Sequence, residues 1–209
     1  MPMIKICGIT NLEDAVAAVE YGANALGFIF HPGSPRSVDP DTAKKIIFSL
    51  PPFTVTVGVF VDRNRSEVCE IASHSGINVI QLHGSESPEE YVSCRKIIKA
   101  IRVKELTDLE AIKDYKSASA ILLDTYSPDL IGGTGQTFNW DIAVEAKKFN
   151  RIILAGGLSP ENVEEAVKMV RPYGIDVASG VEGAHAGKKD HKKLKSFIEI
   201  AHKAFQDHA

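Results

Sequence analysis

The sequence has little cysteine: Cys7, Cys69 and Cys94 are the three in 209 residues. They lie far apart and none forms a CxxC pair, so neither a disulfide framework nor a structural zinc site is suggested. Long apolar runs are lacking too. None reaches the length of a membrane-spanning helix, and no secretory signal precedes the first apolar stretch. Charge of one sign is not in excess. The formal net charge of -3 gives no electrostatic reason to expect nucleic acid. No GxxxxGK[ST] is present, which disfavours a nucleoside triphosphate. These absences leave a reduced, cytoplasmic protein with a small-molecule ligand as the expectation. A monomer is expected because no exposed apolar stretch demands a partner.

What is present is an ordinary globular composition, 44% hydrophobic and 24% charged, on a chain long enough for one domain with a sizeable core. Short β-branched apolar runs recur, each followed by a polar turn and a helical pattern. Strands are predicted at Ile4–Cys7, Ala25–Phe30, Thr54–Val61, Val79–Leu82, Ile97–Arg102, Ala120–Asp124, Ile152–Ala155 and Ile175–Ala178. Helices are predicted after Thr10-Asn11, Asp39-Pro40, Ser66-Glu67, Ser87-Pro88, Thr107, Asn139, Ser159-Pro160 and Asp190. Several of these starts combine a capping residue with proline or acids in the first turn.

Eight alternations over 209 residues give roughly 26 residues per unit. Such alternation argues for parallel strands joined by right-handed crossovers. The count predicts an α/β fold, a single-domain (β/α)8 TIM barrel over residues 1–209. The rival, an open doubly wound sheet, would usually carry GxGxxG after its first strand, where this chain has Cys7-Gly8-Ile9-Thr10.

A barrel's active site lies at the C-terminal ends of its strands. Polar, glycine and reactive residues gather there: Cys7, the turn with Ser34, Pro35 and Arg36, then Asp62, Gln81 with His83, Arg102 and Asp124. LAGGLSPENV and DVASGVE place Gly156-Gly157 and Ser179-Gly180 in the loops after strands seven and eight, where barrels often bind phosphate. Taken singly, each pair is more often only a tight turn; both together, in these two loops, favour phosphate. Asp124 ends an apolar strand. There it can donate a proton from a partly desolvated site, or simply cap the next turn. Cys7 can be a base paired with Asp124 or an inert buried thiol. Arg36 can clamp a carboxylate bidentately or pair at the surface. His83 can orient a site or merely close a strand end. The run His185 to His191 reads as a solvated loop with room for one phosphate contact, and with no convincing metal-ligand spacing.

The stretches KICGIT, GFIF with SPRSV, VGVFV, QLHG, LLDT followed by GGTGQTFNW, LAGGLSPENV and DVASGVE with GKKD near the end resemble, in order and over nearly the whole chain, the phosphoribosylanthranilate isomerase family. The resemblance implies a monofunctional enzyme of L-tryptophan biosynthesis. It would carry out an Amadori rearrangement of N-(5-phosphoribosyl)anthranilate to 1-(2-carboxyphenylamino)-1-deoxyribulose 5-phosphate, with no cofactor and no metal. It further implies Cys7 as general base, Asp124 as general acid and Arg36 on the anthranilate carboxylate. Gly156, Gly157, Ser179 and Gly180 would cradle the phosphate, and Gln81, His83 and Gly133 would line the substrate. The related aminoaldose isomerase of histidine biosynthesis usually employs two aspartates, against which Cys7 argues. A silent phosphometabolite-binding barrel would need the loops but no acid–base pair.

Overall fold

The computed structural model describes residues 3–125 and 137–207. Eight strands close a barrel in sequence order: β1 (Met3–Cys7), β2 (Ala25–Ile29), β3 (Val55–Phe60), β4 (Val79–Leu82), β5 (Lys96–Val103), β6 (Ala120–Thr125), β7 (Ile152–Leu154) and β8 (Gly174–Val177). All neighbours pair in parallel, β8 closing onto β1. The helices described are α1 (Leu12–Glu20), α2 (Pro40–Phe48), α3 (Arg65–Ser75), α4 (Trp140–Ala146), α5 (Val163–Val170) and α6 (His191–Asp207).

The strands sort their side chains by parity, because successive residues point to opposite faces. One set packs outward under the helices, with Ile4, Ile6, Phe28, Ile80, Leu123 and Val177 all buried there. The other set points into the barrel and forms its own apolar layer, including Val57, Ile98, Leu122 and Ile153. Being buried on both faces explains why the strands read as near-continuous apolar runs. Local signals set the helix starts. The Asn11 side chain accepts from the Asp14 amide at 2.9 Å, Asp39 from Thr42 at 2.9 Å and Asn64 from Glu67 at 3.0 Å.

Two crossovers depart from the expected α-helices. After β4 there is only a 3₁₀ turn, Pro88–Glu90. Ser87, predicted as the cap, makes no cap hydrogen bond and instead donates its hydroxyl to Glu89 at 2.6 Å. After β5 the segment Leu106–Asp114 is also 3₁₀. Its buried residues Leu109 and Ile112 stand three apart, a spacing that suits three residues per turn.

The cysteine expectation also needs correction. Cys69 on α3 and Cys94 ahead of β5 are joined as a disulfide, with Cα atoms 5.6 Å apart. The packing of α3 beside the entry to β5 brings together residues that sequence spacing keeps 25 apart. Cys7 is the free cysteine, and it is buried. Two single phenyl rings stand exposed, Phe53 at 97% and Phe48 at 75%. No described helix is long and apolar enough to cross a membrane.

Candidate active site

At the C-terminal mouth of the barrel the inward-pointing columns of most strands end in a cavity of about 440 Å³, to which β5 contributes no lining residue. Cys7 from β1, Gln81 from β4, Asp124 from β6 and Asp176 from β8 all line it. His83 follows β4, and the turn after β2 adds His31, Ser34 and Arg36. Gly156, Gly157 and Ser179 close the side formed after β7 and β8.

Most of the predicted site residues therefore meet in one place. Among those described, Asp62 and Arg102 do not line the cavity, and neither does Gly180. It packs behind the lining, against the Leu158 carbonyl. Gly133 lies outside the described residues. Gly156 has φ +79, a left-handed conformation that favours glycine, and an added Cβ would collide with the Thr125 hydroxyl and approach Asp124 Oδ1 at 3.0 Å. Only a glycine lets this turn pack so closely against the end of β6.

Asp124 is 5% exposed, and its Oδ1 accepts from the Thr125 amide at 2.8 Å. Oδ2 is 3.4 Å from His83 Nε2, close but without hydrogen-bond alignment. The other ring nitrogen, His83 Nδ1, is 3.1 Å from the Gln81 side-chain amide nitrogen. If that amide donates, the ring proton sits on Nε2 and faces Asp124. Gln81 Oε1 is buried and has no hydrogen-bond partner among the described residues.

Cys7 is 6% exposed. Burial pushes its thiol above the ordinary range, and the Lys5 charge opposes that push. Its carbonyl accepts from Lys189 Nζ at 2.7 Å.

Arg36 is not a free cation. Its Nε and Nη2 both donate to Glu182, each at 2.8 Å, in a bidentate pair. This leaves Nη1 for a ligand in the cavity. Burial raises the Glu182 carboxyl, but the Arg36 bonds and the Lys189 charge outweigh it and hold the group below its usual range.

Sequence reasoning missed three charged residues here: Lys5, Asp176 and Lys189. Lys5 and Asp176 stand inside predicted strands, and a charge on an inward barrel position was the available signal. Lys189 belongs to the run expected to be solvated. It is instead 4% exposed, its ammonium bonding to the Cys7 and Ala178 carbonyls and to Glu182. Asp14 on α1 draws the run inward by accepting from the Lys189 amide at 2.9 Å and pairing with His191 at 2.8 Å.

Fold and cavity together define a single-domain (β/α)8-barrel enzyme, of the kind that works at the C-terminal ends of its strands. The model of the N-(5'-phosphoribosyl)anthranilate isomerase family matches residues 4–200, and the chain belongs to that family. It is thereby an isomerase of tryptophan biosynthesis. The N-(5'-phosphoribosyl)anthranilate isomerase of Geobacter metallireducens is 55% identical over 202 residues, covering 96% of this chain and 99% of the relative. That of Geobacter sulfurreducens is 54% identical over 202 residues, covering 96% and 98%. The crystal structure of the Thermotoga maritima enzyme superimposes with a TM-score of 0.91 at 44% identity, covering 97% of this chain and 100% of that one. A phosphoribosyl anthranilate isomerase solved with reduced 1-(o-carboxyphenylamino)-1-deoxyribulose 5-phosphate gives 0.87 at 42%, with coverage of 97% and 100%.

Proposed function

We propose that the chain converts N-(5-phosphoribosyl)anthranilate to 1-(2-carboxyphenylamino)-1-deoxyribulose 5-phosphate with Asp124 as general acid and Cys7 as general base. The observation that carries this reading is the meeting of Cys7 and Asp124, from opposite sides of the barrel, on one cavity whose rim holds Gly156, Gly157 and Ser179. The related structure solved in complex with reduced 1-(o-carboxyphenylamino)-1-deoxyribulose 5-phosphate supports a ligand of that class.

In this mechanism Asp124 donates its proton to the furanose ring oxygen. The ring C–O bond breaks as the anilino nitrogen's lone pair forms the C=N bond of a Schiff base. Cys7, as thiolate, then takes the proton from C2, and the C–H electron pair becomes the enolamine double bond. Tautomerisation gives the ketone, so the oxidation of C2 balances the reduction of C1 within one molecule. Asp124 is buried and accepts one backbone hydrogen bond on Oδ1, which leaves Oδ2 for the ring oxygen. Arg36, held by Glu182, contacts the anthranilate carboxylate through Nη1. The glycine turns take the phosphate with their backbone amides. Gln81 and His83 support the sugar and the acid. The site needs no second copy of the chain, and a monomeric, cytoplasmic enzyme is the assembly we propose.

The test follows the loss of anthranilate fluorescence on adding purified protein to freshly made phosphoribosylanthranilate. Rapid loss is expected, with none above background for Cys7→Ala. Near-normal turnover by folded Cys7→Ala would remove the thiol from the mechanism.

A further inference from the structure

The established reaction leaves a buried ion pair unexplained. Lys5 and Asp176 face each other across the β1–β8 seam as register partners, and Lys5 Nζ bonds to Asp176 Oδ2 at 2.8 Å. They are 4% and 8% exposed. An isolated buried pair of this kind adds little to stability, because the cost of desolvating two charges roughly cancels their attraction. Its place in the fold suggests another use. Lys5 precedes Cys7 by two residues on β1, so both side chains point into the barrel. On the neighbouring strand, Gly27 is the register partner of Cys7. A Cβ there would stand 2.7 Å from the Cys7 sulfur and 3.1 Å from Lys5 Cε. The absence of a side chain at Gly27 is what allows the lysine stem and the sulfur to share that space. Lys5 does not line the mouth cavity, so it does not reach a ligand there.

We propose that Lys5, anchored by Asp176, is a positioning residue that supplies the counter-charge for the Cys7 thiolate. The inference rests on the reading of Cys7 as the base. Other charges face Cys7 as well. Lys189, in the run before α6, and Arg36, after β2, carry charge near it too, both paired with Glu182 as Lys5 is with Asp176, and of the two lysines Lys5 acts more strongly on the sulfur. Asp176 opposes the thiolate, and across the cavity stand His83 and Asp124. Among these groups the attraction of Lys5 outweighs the repulsion of Asp176 at the sulfur. The pair as a whole therefore favours the thiolate, with Lys5 the member that attracts it.

The experiment measures the pH profile of Cys7 labelling by iodoacetamide on the full chain, read on the Cys7 peptide by mass spectrometry. Lys5→Met is expected to slow labelling about tenfold at pH 8 and to move the profile to higher pH. The acid limb of kcat/KM moves the same way while KM stays close to that of the parent. The variant Lys5→Met/Asp176→Asn leaves no orphaned charge and serves if Lys5→Met does not fold. Its labelling should fall between Lys5→Met and the parent. A folded Lys5→Met, or failing that the double variant, that labels as fast as the parent at every pH overturns the proposal. Cys7→Ala activity reports separately on the base: an active Cys7→Ala defeats the mechanism whatever the labelling shows.

Discussion

The two ends of the barrel are built from the same strands and differ in chemistry. The C-terminal mouth holds a cavity of about 440 Å³ with a thiol, carboxylates, an imidazole and an arginine on its wall. The N-terminal end holds one of about 260 Å³ walled mostly by Ala25, Val55, Val57, Val79, Ile98, Ala120 and Ile153, with the buried Lys5 among them and the exposed Lys96, Arg151 and Tyr173 around it. The change happens within single inward columns. On β4 the column runs Val79, Gln81, then His83 beyond its end; on β6 it runs Ala120, Leu122, Asp124. A step of two residues along a strand converts packing into chemistry, so conserving the fold and changing the reaction are separable tasks.

The sharpest break of that comparison uses neighbouring positions on β6. Asp124→Asn keeps an oxygen to accept from Thr125, so the fold should hold. Loss of a general acid should cost roughly 10² to 10⁴ in kcat. The fluorescence assay and a thermal melt read the two effects together. Leu122→Ala, one inward step below and 0% exposed, should show the opposite balance. It should lose about 2–5 kcal/mol in urea unfolding while the folded fraction turns over at nearly the parent rate. If both variants lose activity and stability alike, the two layers are not separable.

The sequence made the architecture legible because it is repeated eight times: each strand is apolar on both faces and each turn is polar. Predicted strand bounds therefore agree with the structure to within one residue at each end. The lining of the mouth was legible where a polar or reactive residue ends a strand, as with Cys7 and Asp124. It was illegible where partners come from distant segments. Nothing local marks Glu182 as the partner of Arg36, 146 residues away, or Lys189 as buried beneath Cys7. The two missing α-helices illustrate the same limit, since Ser87 carries the cap signal but spends its hydroxyl on Glu89.

A smaller effect should follow at the wall of the mouth. Glu182 is charged in the fold, with its carboxyl held below the usual range by Arg36 and Lys189 against the upward push of burial. A depressed carboxyl contributes stability above its unfolded value, about 4.3, and loses it as pH falls through the folded value. Glu182→Gln should therefore be less stable than the parent by about 2 kcal/mol at pH 7, with the gap closing below about pH 4. Its KM should rise as Arg36 loses its anchor. Chemical denaturation of both proteins across that range measures the gap, and a gap constant with pH would show that the charge of Glu182 is not what stabilises the wall.

The smallest effect belongs to the opposite end. Phe53 lies in the loop leading into β3, and at 97% exposure it buries almost nothing within one chain. Removing an apolar group that is already in water recovers no transfer free energy and opens no cavity. Phe53→Ser should therefore leave stability within about 0.5 kcal/mol of the parent. Activity should be unchanged, because the site is confined to the mouth. The melting temperature should also be independent of protein concentration for both proteins, as expected when no partner covers the phenyl ring. A melting temperature that rises with concentration in the parent, and not in Phe53→Ser, would mean that a second copy buries this ring. The apolar end would then be a surface with a task of its own, and the contrast between the two ends would be between chemistry and assembly.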